Sequence, residues 1–184
     1  IPAVLHRKFR GIVKTVTISM TSSGRYFASV LVDTDIQEKP KSAVKNDTTI
    51  GIDLGIKTLA VCSDGRTFDN PKNLRRSLNR LALLQKRLSR RQKGSSNRNK
   101  ARIKVARLQE RISNQRKDTL HKITYTLTHD SQVRTICMED LHVKGMIRNH
   151  HLAQSVADAS FGMFLTMLEY KCKWYGVNFV KIDR

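Results

Sequence analysis

The sequence predicts an α/β fold whose strands are interrupted by a long helical hairpin. Three observations carry this. Short apolar runs bounded by turn residues occupy 49–54, 58–63 and 66–69, and two more lie at Val133–Met138 and 177–182. Residues 72–129 place their apolar side chains at helical spacing instead. From residue 49 the order is therefore β-β-β, a helical hairpin, then β-α-β.

The elements follow in order. Residues 4–32 alternate apolar and polar, with Ile12, Val16, Ile18 and Met20 on one face and Thr15, Thr17 and Ser19 on the other. Tyr26, Ala28, Val30 and Val32 resume the period after the turn Thr21-Ser22-Ser23-Gly24, a β-hairpin signal. Arg7, Lys8, Arg10 and Lys14 line its edge. Residues 34–47 hold Asp35, Glu38, Pro40 and several lysines with no apolar period, which predicts a linker and a domain boundary. Turn signals at Gly55 and Asp64-Gly65 separate the next three strands, and such short connections favour an antiparallel meander.

Within 72–129, Leu74, Leu78, Leu81 and Leu88 make one heptad-like stripe and Val105, Leu108, Ile112, Leu120, Ile123 and Leu127 a second. The polar break Lys93–Asn99 lies between them, so two antiparallel helices joined at a tip are expected. Residues 155–175 read as a helix with Val156, Phe161, Phe164, Leu165 and Leu168 on its apolar side.

Charge narrows the partner. The formal net charge is +20 and the pI is near 10.5, which favours a polyanion such as nucleic acid over a small molecule or a membrane. The excess is concentrated: between Lys72 and Lys117, seventeen Lys or Arg face one acid, Glu110. A solvated helix usually mixes signs to gain i,i+4 pairs, whereas these charges repel one another until a phosphate backbone offsets them. The expected contacts are Arg75, Arg76, Arg80, Arg87, Arg90, Arg91, Lys93, Arg98, Lys100, Lys104, Arg107 and Arg111. No aromatic residue lies in that stretch, so phosphate and shape contacts to a duplex or an RNA–DNA hybrid fit better than base stacking.

Other classes are disfavoured. The chain has no apolar run of 18 residues and no signal peptide, so a cytoplasmic location is expected. It has no Gly-x-Ser-x-Gly and no Gly-x-x-x-x-Gly-Lys motif. Cys62, Cys137 and Cys172 are far apart and form no Cys-x-x-Cys pair, so they read as buried free thiols. The chain starts at Ile1 and ends inside a strand-like segment, and it reads as a piece of a longer protein.

Two acids stand out against the basic background. Asp53 lies near the end of Thr49-Ile50-Gly51-Ile52-Asp53-Leu54-Gly55, and Glu139 closes the run Ile136-Cys137-Met138-Glu139. Acids at the ends of separate strands can meet in one site. Phosphodiester hydrolysis needs an aligned nucleophile and stabilisation of extra negative charge, which two Mg²⁺ ions roughly 3.5–4 Å apart on carboxylates can supply. Gly51 and Gly55 remove side chains beside Asp53 and allow close approach. Glu139 and Asp140 point to opposite faces of a strand, and the spacing leaves open which one faces the site. Asp64 reads as a turn residue and Asp158 as an exposed helix residue, while Asp183 ends the last strand. His6, His121, His129, His142, His150 and His151 form no metal motif, and His150-His151 sits in a polar stretch expected to be a surface loop.

Taken together, Gly51-Ile52-Asp53-Leu54-Gly55-Ile56-Lys57, Leu88-Ser89-Arg90-Arg91-Gln92-Lys93-Gly94-Ser95, Asp118-Thr119-Leu120-His121-Lys122, Met138-Glu139-Asp140-Leu141 and Leu168-Glu169-Tyr170-Lys171 resemble TnpB, the OrfB family of bacterial insertion sequences. That family is related to the type V CRISPR nucleases. The resemblance implies an RNase H-like (RuvC) mixed sheet over 48–184 and a helical-hairpin insertion at 72–129 along the guide RNA–target DNA hybrid. It also makes residues 1–33 the end of a β-barrel wedge domain. Asp53 and Glu139 match the first two catalytic acids, leaving Asp140 as a neighbour. The implied activity is RNA-guided, magnesium-dependent DNA cleavage in a bacterial or archaeal cell.

Family members continue into a four-cysteine zinc ribbon and a third catalytic aspartate, and neither falls within these residues; Asp183 does not match that third acid. The resemblance therefore implies a chain that binds nucleic acid but lacks one carboxylate for cutting. One alternative is a nucleic-acid-binding module that never cuts, like guided repressors among the family's relatives. Another is an actin-like ATP-binding fold, which needs a second glycine-rich phosphate loop and leaves the +20 charge unexplained.

Overall fold

The computed structural model describes residues 8–34, 39–40, 43–130 and 132–183. His6, Arg7, Asp35 and Glu38, and with them part of the expected edge and linker, lie outside the described residues. The first element is a two-stranded antiparallel sheet of β1 (Ile12–Met20) and β2 (Tyr26–Asp33), in which Val16 pairs with Val30, Ile18 with Ala28 and Met20 with Tyr26. Both faces of this ribbon are open: Ile18 is 65% exposed on one and Phe27 48% on the other. A turn of 3-10 helix at Asn46–Thr48 then leads into the main sheet.

That sheet has five strands in the order β5-β4-β3-β6-β7. Strands β3 (Thr49–Leu54), β4 (Thr58–Cys62) and β5 (Thr67–Asp69) form the expected antiparallel meander. Strands β6 (Thr135–Glu139) and β7 (Asn178–Ile182) add in parallel on the other side of β3. The result is a mixed sheet. One face carries Ile50, Ile52, Leu54, Ala60, Cys62, Ile136 and Met138 and is buried.

The helices cover that face. Helix α1 (Asn73–Ser89) and helix α2 (Ser96–His129) form the hairpin, joined by a tip in which Gly94 has φ +82° and the Ser95 hydroxyl accepts from the Arg98 amide. Only the second half of α2 enters the core, through Leu120, Ile123 and Leu127. Val105, Leu108 and Ile112 are buried outside that cluster, where α2 runs beside α1. Short helices α3 (Val143–Arg148) and α4 (Ala153–Ala159) precede α5 (Phe161–Tyr175), which drives Phe161, Phe164 and Leu168 into the core.

Two expectations need correction here, the unbroken helix over 155–175 and the burial of all three cysteines. The helix expected over 155–175 is broken at Ser160, whose left-handed backbone (φ +56°) ends α4 and precedes α5. Helix α3 forms in a stretch without clear periodicity, because Met146 and Val143 pack on the core. Cys62 and Cys172 are buried as expected, but Cys137 is only half-buried because it lies on the uncovered face of the sheet.

Lys171 is a buried ammonium on α5. Its Nζ donates to the His121 carbonyl at 2.7 Å and the Thr124 hydroxyl at 2.8 Å, tying α5 to α2. Burial pushes its pKa below the ordinary lysine value. The unfolded chain then binds more protons than the native one between the lowered value and about 10.4, so stability should rise with pH in that window. Urea denaturation midpoints from about pH 7 to pH 10 should show this rise, and Lys171→Met should remove it. A rise of the same size in the variant would contradict the assignment.

Candidate active site

Strand β3 alternates because one of its faces is core: Ile50, Ile52 and Leu54 point in, so Gly51 and Asp53 point out. Strand β6 pairs with it in parallel through Gly51↔Cys137 and Ile52↔Met138. Asp53 and Glu139 are the next residues on each strand, so they stand side by side on the open face. Asp53 is exposed and Glu139 is half-buried. Val61 opposes Asp53 from β4, and Ile182 opposes Glu139 from β7. Neighbouring strands run about 4.8 Å apart, so the two carboxyl groups can reach one cation between them.

The other acids lie elsewhere. Asp140 has left the strand, and its amide donates to the Ile182 carbonyl at 2.9 Å. Asp183 follows Ile182 and so falls level with Asp140 rather than with Glu139. Asp64 is a turn residue, as expected: its carboxylate accepts from the Arg66 amide at 3.0 Å and from Arg66 Nε at 2.7 Å. That hydrogen bond to Arg66 holds its pKa below the usual carboxylate value. Arg66 also reaches Asp130 at 3.0 Å and so joins the β4–β5 turn to the end of α2. His150 and His151 sit in an exposed turn.

Asp158 was expected to be exposed and is not. It is buried, accepts from the amides of Leu74 at 2.9 Å and Arg75 at 3.1 Å, and pairs with Arg116 at 3.5 Å. No local pattern announces this, because Leu74 is 84 positions away in sequence.

Two hard oxygen donors on one open face suit a Mg²⁺-type ion, which keeps several waters and needs few protein ligands. Among the described residues no group of three His, Cys, Asp or Glu could hold a metal, so Asp53 and Glu139 are a pair rather than a full ligand set.

The basic hairpin stands at the same end of the sheet. Helix α2 runs into the start of β6, so its first half and the tip lie toward the strand ends that carry the acids. Helix α1 starts there too: the Asn70 side chain donates to the Ile56 carbonyl at 2.9 Å, three residues past Asp53. Of the twelve expected contact residues, all but Arg98 are exposed. Arg98 instead donates to the Leu88 and Arg91 carbonyls at 3.1 and 2.9 Å and closes the end of α1. Glu110, the single acid of this stretch, is paired with Arg25 at 3.6 Å, so the hairpin's exposed charge is positive.

With this geometry in place, a family model described as "Probable transposase" matches residues 29–150. A protein from Streptomyces pristinaespiralis named "Putative RNA-guided DNA endonuclease" is 44% identical over 170 residues, which cover 92% of this chain and 41% of that protein. An Escherichia coli K12 protein of the same designation, InsQ, is 30% identical across 92% of this chain and 44% of its own length. The chain thus spans about two fifths of the curated relatives it matches. In fold it is similar to a chain of a Cas12f1-sgRNA-target DNA complex, with a TM-score of 0.56 at 19% identity, over 86% of this chain and 32% of that one.

The two glycines beside Asp53 differ in what they tolerate. A Cβ at Gly55 would meet the Thr58 carbonyl at 2.7 Å, whereas one at Gly51 would meet nothing closer than Ser63 Cβ at 3.8 Å. Gly55→Ala should therefore cost about 1–3 kcal/mol of folding free energy, and Gly51→Ala should be neutral or slightly stabilising. Chemical denaturation of both variants checks this, and the reverse ranking would contradict it.

Proposed function

This chain belongs to the OrfB_IS605 family of probable transposases, and on that premise we propose that it is part of an RNA-guided DNA endonuclease. The observation that carries the reading is the pairing of Asp53 and Glu139 on adjacent parallel strands, at the end of the sheet from which a hairpin of exposed cations leaves. The strand order, with an antiparallel meander on one side of β3 and two parallel strands on the other, supports an RNase H-like (RuvC) domain. The open ribbon of β1 and β2 fits the end of a β-barrel that further strands complete.

In this reading the partners are a guide RNA and a target DNA. Arg75, Arg76, Arg80, Arg87, Arg90, Arg91, Lys93, Lys100, Lys104, Arg107 and Arg111 bind phosphates and align the hybrid with the end of the sheet. Asp53 and Glu139 would hold Mg²⁺ on the open face, fixed by strands that the core cannot release without unfolding. A bound divalent cation there supplies an activated water and neutralises charge developing on the phosphate. The described residues contribute two carboxylates to such a site, and no third His, Cys, Asp or Glu among them joins the pair. A second reading, a module that binds without cutting, rests on the exposed cations of the hairpin alone.

One pair of variants separates binding from chemistry in the full-length, guide-loaded protein. Asp53→Ala should abolish cleavage and leave target binding nearly intact. Neutralising Arg87, Arg90 and Arg91 together should weaken binding alike on all sequences and flatten the slope of log K against log salt by about 2–3. Cleavage that survives Asp53→Ala would refute the nuclease reading, and intact binding with no cleavage by the unaltered protein would favour the second one.

A further inference from the structure

Helix α1 starts without the means to start itself. Its N-cap residue is Lys72, held at φ 48° and ψ 48°, with no side-chain oxygen to accept an amide and no acid in the first turn. Arg75 and Arg76 add positive charge at the end of the helix where the dipole is already positive. The missing acceptor comes from another element. Asp158 of α4 takes the Leu74 amide on Oδ1 and the Arg75 amide on Oδ2, the two positions that an N-cap side chain normally serves. Arg116 of α2 pairs with the same Oδ1. One buried carboxylate thus joins α4, the base of α1 and the middle of α2. On the other side, Lys72 donates its amide to Asn70 at 3.1 Å, and Asn70 holds the Ile56 carbonyl just past Asp53.

We infer that Asp158 is a positioning residue: by capping α1 from α4 it sets where the basic hairpin stands relative to Asp53 and Glu139, and so which phosphodiester of the bound strand reaches the carboxylates. This rests on the nuclease reading above. The cap works through placement and touches no substrate. A cation-lined hairpin that binds nucleic acid but pivots at its base delivers the strand out of register, so the defect belongs to the cutting step rather than to binding.

The test uses the full-length, guide-loaded protein. Asp158→Asn keeps the shape but replaces one acceptor with a donor. Target binding should stay within about two-fold of wild type, single-turnover cleavage at saturating target should slow about ten-fold, and cuts should spread over neighbouring phosphodiesters. Adding Lys72→Gly suits the left-handed backbone at the start of α1 but gives no link to α4, so thermal stability should recover while the spread of cuts persists. Wild-type rate and cut positions in Asp158→Asn, or recovery of both in the double variant, would overturn the positioning role. Should Asp158→Asn fail to fold, Arg116→Gln is read in the same way. Asp53→Ala in the same assay keeps the two claims apart: cleavage that survives it overturns the nuclease reading, whereas an inactive Asp53→Ala beside unaltered cutting by Asp158→Asn overturns the positioning role alone.

Discussion

The parallel pairing of β3 with β6 is the constraint on which the rest depends. It joins segments separated by the whole hairpin, Thr49 to Thr135 and Ile52 to Met138. A parallel pair cannot close through a tight turn and needs a long crossover, which β4, β5, α1 and α2 provide. The register is pinned because a slip of one residue would turn Ile52 and Met138 out of the core. The same register puts Asp53 beside Glu139. The hydrophobic core therefore sets the spacing of the acids, and the acids need no contact of their own to stay together.

Charge is distributed to match. The two acids sit on an open face flanked by Val61 and Ile182, while the exposed cations crowd the hairpin that leaves from the same end of the sheet. Those cations repel one another, and three guanidinium groups are engaged by the fold itself. Arg98 closes the end of α1, Arg102 reaches the Ser22 carbonyl of the β1–β2 turn at 3.5 Å, and Arg116 meets Asp158. Every other Lys or Arg from Arg75 to Lys117 is exposed. This division argues against a generic solvated coiled coil, in which opposite signs along the helix would offset each other.

Much of this was legible in the sequence, and the parts that were not share a cause. Strands β3, β4 and β6 announce themselves by compact apolar runs, and both hairpin helices by their stripes, because burial leaves a local pattern. Asp53 and Glu139 were readable as a pair because each closes such a run. The break at Ser160, the short α3, the burial of Asp158 and the internal use of Arg98 were not readable. The burial of Asp158 depends on partners 83 and 84 positions away, α3 depends on packing against the finished core, and Arg98 bonds to carbonyls across the hairpin tip, none of which leaves an apolar period. Gly51 and Gly55 look alike in sequence, yet only Gly55 is pressed against a backbone carbonyl.

The central claim is that Asp53 and Glu139 act as one cation site. A double-mutant cycle on Mn²⁺ affinity in the full-length protein, followed by the electron paramagnetic resonance signal of free ion, tests it most directly. Asp53→Asn and Glu139→Gln should each weaken binding, and the double variant should be little worse than either, because one ligand alone holds the ion poorly. Independent, additive losses, or an affinity that neither substitution changes, would contradict the account.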